Sequence, residues 1–464
     1  MHADTLIKNI DWLLTVDADR RIITDAAIAI AGGTIVAVGK TADLETEHTA
    51  DTIIDGRDRV ATPGLVDSHL HSSFQLARGL ADEVGTRPFL FERMFPYEGA
   101  MSREDVEVSA LLAAVSLVRC GVTCFVDPGN YHPEATADAA LQVGIRAVVA
   151  RSAFDLTKAV LGVLPESMIE TTEEALDRNR ALLGYVASRN DPRLTASVSF
   201  RGLSNASDEL IVGCKQLADE SGAMLQTHAC FNYSTHDDCL ANFGLPEVGR
   251  LDALGVLDER VLLAHGGWLE PAELEVVARR RPNFVVAPSS SLHNGYGNLV
   301  RGRLPELMEL GVNVGIGSDH ACSGVTDLVQ ELFLFAGTQK EVHMNPRVVA
   351  PERAVEMATV NGARCAGLQQ SIGSIEVGKA ADVVLFDTAT PEWQPLYNPV
   401  SNLVYSATGS SVVDVFVAGR QVLRYGRLTT LDEGDLLARV RDTSTRLRER
   451  LDVGRKPLSY WPVA

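Results

Sequence analysis

The chain has no apolar run long enough to cross a bilayer. Stretches such as Ala110 to Val118 stop well short of the roughly 20 residues that a spanning helix needs. The opening Met1-His2-Ala3-Asp4 is polar and is not followed by a basic stretch, an apolar segment and a small-residue cleavage site. No secretory signal is therefore expected, and a cytoplasmic location follows by default. Basic charge is scarce: 42 Lys and Arg against 61 Asp and Glu leave a formal net charge of −19. That excess disfavours a nucleic-acid groove or an anionic membrane surface, since both would be repelled. Small, neutral molecules are the expected partners. Cysteines number seven, at 120, 124, 214, 230, 239, 322 and 365, with none of the paired spacing of a zinc finger. They read as reduced thiols, mostly small buried apolar residues; Cys230 and Cys322 stand apart by lying beside candidate site residues. Internal repeats and low-complexity segments are also missing.

What is present is enough apolar material, 46% of 464 residues, for one large core and a smaller second one. From Thr5 to Ile54 the pattern is short and β-like, with Ala27-Ile28-Ala29-Ile30, a Gly32-Gly33 turn and Thr34-Ile35-Val36-Ala37-Val38. A matching set returns near the other end in Ala381 to Phe386 and Val412 to Val417. Neither set alone supplies enough strands to cover an apolar face, so the two are expected to pair as one composite β-sandwich domain over 1–60 and 370–430.

Between them, β-type runs alternate with helical stretches, as in a parallel sheet with crossover helices. Strands are read as ending near His71 and as spanning Gly121 to Asp127, Arg146 to Ala150, Leu194 to Phe200, Ala223 to His228, Val261 to His265, Phe284 to Pro288 and Val312 to Asp319. Eight runs predict an α/β fold with a closed, distorted (β/α)8 TIM barrel over 61–369. Helices are expected over Glu104 to Arg119 and Ser207 to Glu220, and in part of Ser323 to Asn361. A solvated surface helix over Asp432 to Leu451 and a tail complete the chain from 431 to 464.

The chemistry is concentrated at strand ends. In Pro63-Gly64-Leu65-Val66-Asp67-Ser68-His69-Leu70-His71, two histidines two apart finish an apolar strand, so both rings can face one side while Leu70 packs away. Thr227-His228, Ala264-His265 and Ser318-Asp319 finish three other runs. Side chains at the C-terminal ends of barrel strands converge, and His and Asp together suit one divalent cation.

These pieces, with Gly373-Ser374-Ile375-Glu376-Val377-Gly378-Lys379-Ala380-Ala381-Asp382, make the chain resemble the amidohydrolase superfamily over nearly its whole length. Within it the chain is most similar to the branch of triazine hydrolases and aminohydrolases of purine-like rings. The resemblance implies that His69, His71, His228 and Asp319 bind the metal. It also implies that His265 contacts the nucleophilic water, orienting it and returning a proton to the leaving group. Asp319 would both ligate and accept the water's proton. Zinc is the first expectation, with cobalt, iron or manganese as alternatives suited to the same N and O shell. A binuclear site in this superfamily needs a carboxylated lysine on a barrel strand; no lysine ends a strand placed here, so one ion is expected. Enzymes of this class are commonly symmetric homo-oligomers.

One position departs from the branch. Its ring deaminases carry a glutamate three residues after the third metal histidine, and here that residue is Phe231, which cannot move protons. The departure points to an acyl carbon as electrophile, in a neutral carbamate, thiocarbamate or urea, with the molinate and phenylurea hydrolases as the nearest resemblance. An aminohydrolase or dechlorinase of a triazine or purine-like ring is the alternative. A catalytically silent barrel used as a binding module is a third reading, opposed by the intact ligand set. Substrate contacts are expected from Gln75 and Phe91, in segments that line the pocket in this branch, and from Asn232, His293 and His320, which depart from its loop patterns.

Overall fold

A computed structural model describes residues 1–156, 158–159 and 162–451; the tail expected after the last helix lies outside them from residue 452 on. Eight parallel strands form the barrel: β1 (Leu65–Asp67), β2 (Val122–Val126), β3 (Arg146–Val149), β4 in two pieces (Leu194–Ala196 and Val198–Gly202), β5 (Leu225–Ala229), β6 (Val261–His265), β7 (Asn283–Val286) and β8 (Val314–Ile316). All eight fall on the runs read from the sequence. The β4 break is the distortion: Ser197 N donates to Val149 O of β3, and Val198 N to Met224 O just before β5, so the strand changes neighbours midway.

The ring closes between β8 and β1. Ser68 N donates to Ile316 O at 2.9 Å, Asp319 N to His69 O at 2.8 Å and His71 N to Asp319 O at 2.6 Å. This approach needs glycine at 317, where an added Cβ would lie 2.7 Å from the backbone N and O of His69. Gly64 is likewise forced, because a Cβ there would meet the Thr123 side chain at 2.0 Å as the chain enters the barrel.

Crossover helices begin where side chains can cap them. Ser102 and Asp105 form a capping box for the helix Arg103–Arg119, and Ser207 caps Asp208–Ser221. Helices Leu328–His343 and Pro351–Met357 account for the helical content expected before Asn361.

The two chain ends pair as the composition implied. Strands His2–Leu14, Ile22–Ala31, Thr34–Lys40, Thr49–Asp55 and Arg59–Pro63 join Val383–Asp387, Val412–Val417, Arg420–Arg424 and Arg427–Leu428 in one nine-stranded sheet. The seam is the antiparallel pairing of Arg59–Pro63 with Val383–Asp387, with Ala61 opposite Leu385. Ile7, Ile28, Ile30 and Ile35 share a buried cluster with Val383, Leu385 and Phe416, so residues of both ends fill one core.

The C-terminal helix Glu433–Arg450 corrects the picture of a solvated element. Leu436, Thr443 and Leu447 are buried, Arg439 reaches Glu107 at 3.0 Å, and Arg450 reaches Asp105 at 2.5 Å. Its Arg, Glu and Leu content suggested a free surface because the apolar positions are few. Those few meet the helix Arg103–Arg119. No helix among the described residues is long and apolar enough to cross a membrane.

Candidate metal centre and pocket

Beyond β1 the chain stays extended, and the expected alternation holds: Leu70 is fully buried while His69 and His71 turn toward His228 of β5, His265 at the end of β6 and Asp319 after β8. His71 Nε2 lies 3.1 Å from His228 Nε2. His69 Nε2 and His71 Nε2 stand 3.3 and 3.6 Å from Asp319 Oδ1. The ligand atoms of His69, His71 and His228 lie within 4.8 Å of one another, as do those of His69, His265 and Asp319.

Two orphaned atoms show what such a cluster fits. His69 Nε2 and Asp319 Oδ1 are buried with no hydrogen-bond partner. A divalent cation would satisfy both at once, and this donor set suits Zn and its neighbours. Three of the imidazoles, His71, His228 and His265, are prepared for this site by being neutral. Burial pushes His71 well below its ordinary value, helped by the charge of Arg201, and burial pushes His228 down as well. The His265 ring is brought by burial to about 3. Burial alone would raise Asp319, yet His320, His69 and His265 together hold its carboxyl well below the usual range.

Neighbouring groups fix the orientations. His228 Nδ1 donates to the Arg201 carbonyl at 2.6 Å, which leaves the Nε2 lone pair facing the cluster. Ser290 Oγ donates to Asp319 Oδ2 at 2.7 Å. Asp67, its carboxyl raised by burial to about 6, accepts from His69 N, Ser318 N and Ser318 Oγ and so clamps β1 to β8. His265 and Asp319 sit at φ of 86° and 60°, left-handed conformations that cost a non-glycine residue about 1–3 kcal/mol each. Such strain concentrates where side-chain placement matters. None of the eight barrel strands contains a lysine, as the single-ion expectation requires.

The cluster floors a pocket walled by Phe74, Phe89, Phe91, Phe95, Phe231 and Tyr296. Phe74 stacks on His71, with ring centroids 4.8 Å apart. Of the five residues expected to touch substrate, Phe91 and His320 line this space; His320 Nε2 is 3.4 Å from Asp319 Oδ2.

The other three are elsewhere. Gln75 is buried against the helix side, its amide oxygen accepting from Arg78 at 3.0 Å. Asn232 is a helix cap: its Oδ1 accepts from Thr235 N at the start of Tyr233–Phe243. His293 pairs with Asp82 at 3.4 Å on a partly exposed rim. Sequence reasoning missed Arg201, which lines the pocket from the last turn of β4. The signal was there, a basic residue at a strand end, but the strand was read as stopping at Phe200.

Residues 60–422 match the model of the amidohydrolase family. The chain is 32% identical over 454 residues to the 5-methylthioadenosine/S-adenosylhomocysteine deaminase 1 of Syntrophus aciditrophicus (strain SB), covering 97% of this chain and 99% of the relative. It is also 32% identical over 434 residues to the 5'-deoxyadenosine deaminase of Methanopyrus kandleri, over 93% and 96% of the two chains. Among solved structures, an adenosine deaminase from Xanthomonas campestris with bound zinc superposes with a TM-score of 0.90 at 28% identity, covering 97% of this chain and 99% of that one. The atrazine chlorohydrolase of Arthrobacter aurescens, at 23% identity and a TM-score of 0.84 over 95% and 100% of the chains, shares the fold.

These relatives overturn the expectation of a carbamate, thiocarbamate or urea substrate. The two relatives above 30% identity are both named as deaminases, and neither supports molinate or phenylurea hydrolysis or cleavage of a C–S bond. Phe231 does not by itself set the electrophile. Its ring packs beside His265 and Tyr296, with centroids 5.7 and 5.5 Å away, and so forms part of the pocket wall. With four fifths of its length matched and relatives above 30% identity along nearly all of it, the chain belongs to the amidohydrolase family.

Proposed function

We propose that this protein is a metal-dependent aminohydrolase that replaces the exocyclic amine of a neutral, purine-like ring by oxygen. The observation that carries this reading is the meeting of His69, His71, His228, His265 and the unpartnered Oδ1 of Asp319 at the floor of an aromatic pocket. Deaminase names among relatives that match nearly the full length support it. Four of those side chains, His69, His71, His228 and Asp319, would hold one divalent ion, zinc first. That ion would lower the pKa of a coordinated water to about 7 and so supply hydroxide at neutral pH.

The remaining work belongs to the protein. Asp319 stays ionised and takes the proton that the attacking water gives up. His265, neutral at pH 7, orients the water, accepts a proton as the tetrahedral carbon forms and returns it to the departing amine. The phenyl rings of Phe74, Phe89 and Phe91 exclude bulk water and offer flat apolar faces to an aromatic ring.

Ammonia release from a panel of purine bases and nucleosides, measured beside metal content, tests the reading. The zinc-loaded protein should release ammonia, and chelation should stop it. His69→Ala and Asp319→Ala should each reduce turnover by at least about a thousandfold and leave less than one metal per chain. Full turnover in either variant would sink the proposal.

A further inference from the structure

The barrel opens at its other end as well, onto a cavity of different chemistry. Residues 222–224, 259–260, 281, 283, 311 and 313 line it and lead into β5, β6, β7 and β8. It therefore lies at the foot of the strands, while the metal cluster gathers at their C-terminal ends. Arg364 of the helix Val360–Cys365, with Gln369 and Gln370 beyond it, closes the wall. The cavity measures about 600 Å³, a size suited to a small-molecule ligand.

Three guanidiniums, those of Arg260, Arg281 and Arg364, share this space with one carboxylate, Glu259. In a chain of net charge −19 an arginine readily finds an acid. Arg279 and Arg280 both pair with Asp252, at 2.8 and 2.6 Å, and Arg260 pairs with Asp219 at 2.5 Å. Arg281, the next residue along, does not, and neither does Arg364: their guanidiniums have no hydrogen bond or ion pair with any described residue. Arg281 Nη1 lies 3.9 Å from where a Cβ on Gly311 would stand, so this side chain reaches from the entry of β7 to that of β8.

The floor is polar too. Asn283 Nδ2 donates to the carbonyls of Glu259 and Val261 at 2.8 and 3.3 Å, and Asn313 Nδ2 donates to Asn283 Oδ1 and to the Asn361 carbonyl, both at 3.0 Å. Asn313 is buried and its Oδ1 has no partner. That acceptor is left over at the base of the cavity, where a ligand's hydroxyl, or a water held beneath the ligand, would satisfy it.

A planar guanidinium matches pairs of phosphate oxygens, and several of them spread around one cavity match linked phosphates better than a single small anion. We propose that this cavity binds the di- or triphosphate group of a small molecule, with Arg281 and Arg364 as its principal contacts and Arg260 at the rim. Asp219 retains Lys215 as a partner when Arg260 turns to the ligand. Inorganic polyphosphate and a nucleotide share this chemistry. Binding here requires neither the metal nor the catalytic side chains, so it goes beyond the aminohydrolase reading and survives that reading's failure.

Calorimetry on the zinc-loaded protein tests the site with two probes, inorganic triphosphate and uridine 5'-triphosphate, a nucleotide with no exocyclic amine to remove. Each is supplied as its magnesium complex, so that zinc is not drawn from the protein. Native protein should bind with a dissociation constant of roughly 10–100 µM, as expected of two or three charge-assisted contacts, and more weakly as salt is raised. Arg281→Gln/Arg364→Gln should weaken binding by roughly 100-fold or more, with melting temperature and metal content unchanged. Arg279→Gln/Arg280→Gln removes the same charge from paired neighbours and should change affinity by less than about threefold. Tighter binding of the nucleotide than of inorganic triphosphate would support the site and identify a nucleotide as its ligand; equal binding would support it with the phosphates alone recognised.

Equal weakening in the two double variants would show attraction by surface charge in general and overturn the proposal. Binding that survives Arg281→Gln/Arg364→Gln, or native binding weaker than about 1 mM, would overturn it as well.

Discussion

A single imidazole or carboxylate is informative in a sequence only when its neighbours constrain where it points. His69 and His71 were legible because strand geometry sends alternate residues to one side, and the structure turns both toward Asp319. Asn232 misled because its chemistry has two uses. An asparagine three residues before Thr235 satisfies the rule for a helix cap, and the helix Tyr233–Phe243 starts there. Ser290 left no mark in the sequence, since its partner Asp319 lies 29 residues away across the β7–β8 crossover. Its hydroxyl nevertheless fixes the oxygen of Asp319 that does not face the cluster. Ser290→Ala is expected to lower metal affinity or turnover by roughly 10- to 100-fold, the usual cost of removing a group that orients a ligand. His293→Ala, on its rim pair with Asp82, should change turnover by less than about twofold. Competitive chelator titration and steady-state rates read both. Equal effects of the two substitutions would remove the distinction drawn between them.

At the scale of elements, the eight strands were readable because each is an apolar run that ends in polar or turn-forming residues. What periodicity could not show is how the short pieces after the strands are pinned. The helix Glu247–Ala253 is one such piece. Its first residue, Glu247, reaches back to the Cys230 backbone, and Glu273 accepts from Val248 N and Gly249 N. Burial lifts the Glu247 carboxyl to about 8 from an ordinary value near 4.5. Between those values the folded protein holds a proton that the unfolded chain releases. This group's contribution to stability is therefore complete below about pH 4.5 and is lost as pH rises to about 8. Glu331, also raised to about 8, acts in the same direction. Below about pH 6.5 the buried His71, His228 and His265, whose rings are lowered in the fold, act in the opposite direction; above it melting temperature should decline toward pH 8, and Glu247→Gln, which keeps the shape without the charge, should make that decline shallower. An unchanged slope in the variant would show that Glu247 does not carry this linkage.

Across the whole molecule, the β domain and the barrel are joined by contacts that bring distant parts of the chain together. The stretch Gly373 to Asp382 marked the β domain by resemblance alone; the physical reason for its last residue is visible only in the fold. Asp382 pairs with Arg146 at the start of β3 through two hydrogen bonds, of 3.0 and 3.2 Å, across 236 positions. Both side chains are at most 4% exposed. The same carboxylate accepts from Ala418 N at 2.8 Å, the Asp382 carbonyl accepts from Gly64 N at 2.9 Å, and Arg146 Nη1 donates to Pro192 O at 2.8 Å. One ion pair thus ties the β-domain turn, the entry to the barrel and the foot of two strands. Asp382→Ala would leave a guanidinium buried without its countercharge, at a cost of about 3–5 kcal/mol. Replacing the pair by apolar groups of similar size, Arg146→Met/Asp382→Leu, removes the stranded charge as well and should recover much of that loss. Denaturant unfolding of the three proteins should place the double variant between the native chain and Asp382→Ala. Turnover per folded molecule should stay within about twofold of native, since the pair lies at the opposite end of the barrel from the metal cluster. A double variant less stable than Asp382→Ala would mean that the joint depends on the hydrogen bonds of the pair more than on neutralising a buried charge.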